Sequence, residues 1–76
     1  MTRHWYINEH IKENGGFIVF YYGTDEYDLA IQVEKLCETY ERTGKSAVIE
    51  YGYEECSDYQ RIVIEDGVVV KRKSCF

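Results

Sequence analysis

The sequence contains no proline, no low-complexity segment and no long apolar run. Its longest apolar stretch, FIVFYY, is much shorter than the roughly 20 residues that a membrane-spanning helix needs. The first ten residues, MTRHWYINEH, also lack the apolar core of a secretory signal. Because no linker composition divides the 76 residues, we expect a single α+β domain over residues 1–76. Because no secretory signal or membrane-spanning run is found, we expect a cytoplasmic location.

The sequence also lacks a closely spaced cysteine pair. Cys37, Cys56 and Cys75 are an odd number spread along the chain, which is typical of reduced thiols rather than of a disulfide framework. Together with His4 and His10 they match no zinc-binding spacing. There is no phosphate-binding glycine loop, and no pattern pairs two carboxylates for acid–base work. We therefore predict a protein that is not an enzyme and that binds no cofactor or metal.

Positive charge is scarce in the middle of the chain. The formal net charge is −5, and residues 25–66 carry twelve carboxylates against four lysines and arginines. Affinity for a phosphate backbone comes from cationic side chains, so no direct nucleic-acid binding is expected. Lys71, Arg72 and Lys73 then restore positive charge, as is typical of a protected edge strand. A basic protein is the more natural partner.

The clearest regular element is a helix over about 25–43. Its apolar residues recur at helical spacing on one face, and they are Leu29, Ala30, Val33, Leu36, Cys37 and Tyr40. Thr24 or Asp25 can cap the start of this helix, and Asp25, Glu26 and Asp28 place negative charge near the positive end of its dipole. Gly44 suits the left-handed position just beyond its end. Cys37 is expected to pack in the core as a small apolar residue.

The other apolar segments predict strands. GFIVFYYG, before the helix, is a continuous apolar run that is typical of a central strand covered on both faces. SAVIEYGYEE, after the helix, alternates in the manner of a strand with one buried face. Residues 59–65 and 68–70 predict two more strands, which the Asp66-Gly67 pair joins as a tight hairpin.

Residues 1–14 fit two structures. In the interpretation that we prefer, WYINEHIKENGG is a short helix with Ile7 and Ile11 one turn apart. In the other, it is a strand turned back at Asn14-Gly15, which sets Ile11 against Ile18. The predicted fold class is accordingly α+β (mixed), with a three- to five-stranded mixed sheet and the long helix packed on one face. The element order is (α or β)-β-α-β-β-β.

This order of elements resembles the thioredoxin-like pattern. The resemblance is carried by IKENGGFIVFYYG with the helix after it, and by the terminal hairpin RIVIEDGVVVKR. Where that family has Cys-x-x-Cys the chain has GTDEYD, and the family's cis-proline has no counterpart. The resemblance therefore implies no redox activity. A degenerate thioredoxin-like redox or thiol-switch protein, working through Cys56 or Cys75, is kept as an alternative function.

Tyrosine is unusually frequent, with eight in the chain, and it is concentrated near carboxylates. The stretch YGYEECSDY (51–59) combines three tyrosines with three carboxylates, and we expect an exposed acidic hairpin tip there. Tyrosine commonly covers half-buried sheets, and it is also enriched at binding hot spots. The predicted partner-binding residues are Glu50, Tyr51, Tyr53, Glu54, Glu55, Asp58, Tyr59, Glu65 and Asp66.

We interpret the chain as a small acidic non-enzymatic binding protein whose Tyr/Glu/Asp-rich surface engages a basic protein partner. Its size, its acidity and its lack of catalytic residues resemble small phage or mobile-element inhibitors, including anti-CRISPR proteins and nucleic-acid mimics. A homodimer formed through an exposed strand edge, acting as a structural accessory protein, is the second alternative.

Overall fold

The computed structural model describes residues 2–13 and 15–75, with side chains up to residue 73. Five strands and one helix lie within this described part of the chain, in the order predicted for an α+β domain. They are β1 (His4–Ile11), β2 (Phe17–Thr24), α1 (Leu29–Thr43), β3 (Ala47–Tyr53), β4 (Tyr59–Glu65) and β5 (Val68–Cys75). The predicted fold class is confirmed.

The first element is a strand, so the preferred helix over the first fourteen residues is wrong. Trp5, Ile7 and Glu9 are buried at alternate positions, as one face of a strand requires. The four-residue spacing of Ile7 and Ile11 suits either structure, and pairing with strands on both sides decides between them. Gly15, at φ 87°, contributes to the turn into β2, while Asn14 lies outside the described residues.

The sheet order is β2-β1-β3-β4-β5, and each of the described strand pairs is antiparallel. β1 lies between β2 and β3, the two strands that α1 connects, so the parallel pairing expected of a mixed sheet does not form. The same insertion moves β2 to the edge of the sheet. The expectation of a central strand covered on both faces is therefore wrong for FIVFYYGT.

The helix α1 begins at Leu29, four residues later than predicted, and ends at Thr43 as predicted. Asp28 is the N-cap, and its side chain accepts a hydrogen bond from the backbone N–H of Ala30 at 2.9 Å. Gly44 has φ 71° at the C-cap, the left-handed conformation that glycine adopts without strain. Residues 25–27 form a turn instead of the first helical turn.

The core lies between α1 and one face of the sheet. Its residues come from the buried stripe of the helix and from alternate positions of β1, β3 and β4, and they are Trp5, Ile7, Leu29, Val33, Cys37, Tyr40, Ala47, Ile49, Ile62 and Ile64. The helical stripe predicted from spacing thus supplies four core residues, including Cys37. The opposite face of the sheet, called the open face below, has no helix over it among the described residues.

Trp5 fixes one margin of the core. The Trp5 indole N–H donates to the carbonyl oxygens of Thr24 and Tyr27, at 2.7 and 2.8 Å, and so attaches the β2–α1 loop to β1. Gly23 lies against the Trp5 ring, and a Cβ at that position would collide with the indole.

At the predicted hairpin turn, Asp66 and Gly67 have φ 51° and 80°, as a type I′ turn requires.

Candidate protein-binding surface

The fold brings two acidic loops to one end of the sheet. β2 and β3 are both antiparallel to β1, so they run parallel to each other and finish at the same end. The loop after β2 carries Asp25, Glu26 and Asp28, and the loop after β3 carries Glu54, Glu55 and Asp58. These six residues, all exposed, are called the acidic end.

Hydrogen bonds attach both loops to consecutive residues of the chain. The backbone N–H of Asp25 donates to the Arg3 carbonyl oxygen, and that of Glu54 donates to the His4 carbonyl oxygen, each at 2.8 Å. Arg3 and His4 therefore hold one loop on each side of the start of β1. Backbone hydrogen bonds thus fix the start of each loop beside β1.

Arg3 is the cation placed among these carboxylates. Its Nε lies 3.1 Å from Glu55 Oε1, its Nη2 donates to the Cys56 sulfur at 3.3 Å, and its guanidinium stacks 3.8 Å above the Tyr53 ring. The hydrogen bond with Glu55 raises the pKa of Arg3, whose guanidinium is in any case charged at neutral pH. Within this group of described residues, the charge of Arg3 offsets one of the six carboxylates, so the group is net negative.

Exposed tyrosines border the acidic end. The Tyr22 hydroxyl, on the open face of β2, donates to Glu54 Oε2 at 2.7 Å, and this hydrogen bond raises the pKa of Tyr22. The Tyr22 ring is stacked on the His4 ring, with centroids 5.6 Å apart. Tyr27 lies within the β2–α1 loop and is 62% exposed. Protein-binding surfaces are commonly enriched in aromatic residues and surrounded by a polar rim.

The structure divides the predicted binding residues. Glu54, Glu55 and Asp58 belong to the acidic end, at an exposed hairpin tip as expected. Tyr51 and Tyr53 are half-buried on the helix side of β3 and pack against the core. Glu50 is on the open face, with its Oε1 2.8 Å from His10 Nε2.

The remaining predicted residues lie elsewhere. Tyr59 is half-buried on the open face at the start of β4. Glu65 and Asp66 are exposed at the opposite end of the sheet, where β4 turns into β5. Sequence reasoning missed Asp25, Glu26 and Asp28 as surface partners of the β3–β4 loop, because it placed them at the start of the helix. Their acidic run was the available signal, but its proximity to the second loop depends on the strand order.

Glu9 is a buried carboxylate on the helix side of β1, with 5% of its surface exposed. Its Oε1 accepts a hydrogen bond from the Tyr21 hydroxyl at 2.8 Å, and its Oε2 accepts one from the Tyr40 hydroxyl. Burial and the bond to Glu9 raise the pKa of Tyr21 to about 12 and raise that of Tyr40 further. The three groups link the sheet, its β2 edge and the helix, and their chemistry is that of a structural anchor.

An open groove of about 420 Å³ runs between α1 and β5. Its polar lining comes from Glu34, Glu38 and Glu41 on the helix and from Arg72 on β5. Cys37 lies at its base, and burial raises the pKa of that thiol, so it is a poor nucleophile. The Cys75 side chain, named in the redox alternative, lies outside the described side chains. Among the described residues, no three histidine, cysteine or carboxylate side chains are grouped as a metal site would require.

Comparison of the chain with protein-family models, with curated proteins and with solved structures finds no match. Over residues 2–13 and 15–75, no helix combines the length and the apolar character needed to cross a membrane.

Proposed function

We propose that the protein is a small, non-enzymatic binding protein whose acidic end engages a basic protein partner. The observation that carries this proposal is the meeting of two carboxylate loops at one end of the sheet, held by Arg3 and His4. The six exposed carboxylates of the acidic end favour contact with a cationic surface. Complementary charge of this kind speeds association and selects partners.

A protein partner is favoured over a small cation by the aromatic rings at the border. Tyr22 and Tyr27 are exposed next to the carboxylates and offer apolar contact area and hydroxyl groups together. Arginine is the cation best suited to such a surface, because its guanidinium pairs with carboxylates and also stacks on aromatic rings. Arg3 shows this geometry within the protein, because its guanidinium stacks on the Tyr53 ring and pairs with the Glu55 carboxylate.

An inhibitor or nucleic-acid-mimic role stays a hypothesis based on size and acidity. A nucleic-acid-mimic role would require that the basic partner be a nucleic-acid-binding protein. The redox alternative stays a prediction as well, and it would depend on Cys56, which is an exposed free thiol, or on Cys75, whose side chain lies outside the described residues.

A titration with a deca-arginine peptide, followed by amide chemical shifts of the labelled protein, tests the proposal. We expect the shifts to change mainly over residues 24–28 and 53–58. Binding should weaken as salt rises, since exposed charges are screened within about 10 Å at 0.1 M salt. A triple reversal of Glu54, Glu55 and Asp58 to lysine should weaken binding by roughly 10- to 100-fold, at about 0.5–1 kcal/mol for each exposed pair.

A triple reversal of Glu38, Glu41 and Glu65 to lysine is the matched control, because it reverses the same number of exposed carboxylates outside the acidic end. We expect it to change affinity by less than about twofold. If this control weakens binding as much as reversal at the acidic end, the peptide senses net charge alone. The assignment to the acidic end would then be wrong.

A further inference from the structure

β2 is an unprotected edge strand. It contains neither a charged residue nor a proline, and over the described residues its pairing with β1 runs from Ile11–Phe17 to His4–Thr24 without a register shift. Edge strands normally carry charges, prolines or bulges, because their outward N–H and C=O groups pair readily with another strand. Eight residues of β2 lack all three protections.

Large apolar side chains flank this edge on both faces of the sheet. The exposed members are Phe17, Ile18, Phe20, Tyr21 and Tyr22. Ile18, Phe20 and Tyr22 form a continuous row on the open face, and the rings of the last two are stacked with centroids 6.3 Å apart. Contiguous exposed apolar surface of this kind marks an interaction site.

We propose that two copies of the chain associate through β2, pairing antiparallel about a two-fold axis perpendicular to the sheet. The five strands of each copy would then form one continuous sheet. Each residue keeps its face in such a pair, so the row of Ile18, Phe20 and Tyr22 packs against its own copy. The contact is closed by the two-fold axis, which leaves no further β2 edge exposed.

Charge favours a second copy as the occupant. The uncharged β2 strand can pair with itself without opposing like charges, whereas self-pairing of β5 would bring Lys71 and Lys73 against their copies. Antiparallel pairing also places the acidic β2–α1 loop of one copy beside the β1–β2 loop of the other. The β1–β2 loop carries Lys12, whose exposed cation faces the acidic loop in this arrangement. The negative charge of Glu13 in the same loop is already paired with Lys45 at 3.2 Å.

The same geometry keeps the two acidic ends apart. Because the β2 strands run in opposite directions, the acidic ends lie at opposite ends of the joined sheet. Both remain open to solvent, so the dimer does not obstruct the binding proposed for them. The dimer rests on the β2 edge and would stand even if the acidic end bound nothing.

Sedimentation velocity of the full chain, from low micromolar to millimolar concentration, tests the dimer. Phe20→Lys introduces a charge that would face its own copy, or lie next to it, across the pair. Val68→Lys on β5 is the matched control, because both residues are 60% exposed on edge strands. We expect Phe20→Lys to weaken dimerisation by roughly 100-fold and Val68→Lys by less than about threefold. Ile18→Lys serves as a second β2 variant should Phe20→Lys fail to fold.

Hydrogen exchange of the unaltered protein provides a measurement that needs no variant. Outward-facing β2 amides should exchange more slowly as the protein is concentrated, while β5 amides should not change. A monomer at every concentration, or a dimer equally stable in both lysine variants, would overturn the proposal. Open-ended assemblies that Val68→Lys dissolves would show β2–β5 pairing and would also overturn it. Slowed β2 exchange only on addition of deca-arginine would identify a peptide as the occupant instead.

Discussion

The two edges of the sheet differ in the features that control pairing with another strand. β5 carries Lys71, Arg72 and Lys73, and a register shift interrupts its pairing with β4 between Val63 and Ile64. β2 carries no charge, keeps a regular register over its described residues and exposes aromatic side chains. Charges and bulges oppose strand addition, so β5 has the composition of an edge that stays in water. β2 has the composition of an edge that is covered.

The edges also differ in how they are fastened to the helix. Tyr21 of β2 donates to Glu9, and the same carboxylate accepts a hydrogen bond from Tyr40 of α1. On the β5 side, Arg72 lines an open groove against helix glutamates. The β2 edge is thus fastened to the helix by a buried polar anchor. The β5 edge is held by its pairing with β4 and by Val69, which packs against the core.

The largest expected effect comes from removing that anchor. Glu9→Ala leaves the buried Tyr40 hydroxyl without its acceptor and loosens Tyr21, so we expect a loss of about 2–4 kcal/mol in the free energy of unfolding. Urea unfolding followed by circular dichroism measures it. Glu50→Ala, which removes a half-buried carboxylate from the open face, is the control and should cost less than about 1 kcal/mol. Equal losses in the two variants would mean that Glu9 does not hold the β2 side.

The two edges of the sheet should also respond differently to alkaline pH, because β2 contributes Tyr21 to the anchor and β5 contains no tyrosine. The pKa of Tyr21 is raised to about 12 and that of Tyr40 is also raised, against about 10 in the unfolded chain. The unfolded chain therefore loses these protons first. Stability should be fully present below about pH 10 and should fall as the pH rises towards 12.

Urea unfolding at several alkaline pH values, with phenolate absorbance recorded in parallel, checks this expectation. Tyr40→Phe removes one of the two tyrosines of the anchor whose pKa is raised, and it should make the alkaline loss of stability smaller. A pH profile that is identical in this variant and in the unaltered chain would contradict the role assigned to the anchor.

The smallest effect on stability, and the sharpest test of the edges, comes from removing charge from β5. Changing Lys71 and Lys73 to serine takes two exposed cations from that strand and should alter the free energy of unfolding by less than about 0.5 kcal/mol. Self-association of this variant should change more than its stability does, because a second sheet edge becomes open to pairing. Light scattering should detect assemblies larger than a dimer at high concentration. Their absence would show that Arg72 and the bulge are enough to protect β5.

The elements that local chemistry specifies were predictable from the sequence. The apolar spacing of Val33, Cys37 and Tyr40 predicted the helix and its buried face, and Gly44 marked its end. Asp66-Gly67 predicted the hairpin turn, since both residues adopt positive φ readily. Each of these signals depends on residues only a few positions apart.

Apart from the helix start, which lies four residues later than predicted, the errors concern pairing between distant segments. Ile7 and Ile11 fit a helix and a strand equally, and β1 became a strand because β2 and β3 pair on its two sides. FIVFYYGT is apolar enough for the centre of a sheet, yet β1 occupies that position and leaves it at the edge. Within the candidate site, the β3–β4 loop was recognised from its own residues. The contribution of Asp25 and Glu26 was missed because it depends on strand order.

By itself, the sequence determined the α+β class, the helix and its core face, the turn residues and the acidic balance. These properties follow from side-chain periodicity, backbone preference and charge, which act over short distances. Tertiary structure alone decided which strand is central, which edge lacks protection and which carboxylates share an end. Those outcomes depend on the free energy of burying one face of each strand against partners far away in the chain. No local pattern in β1 or β2 encodes that choice.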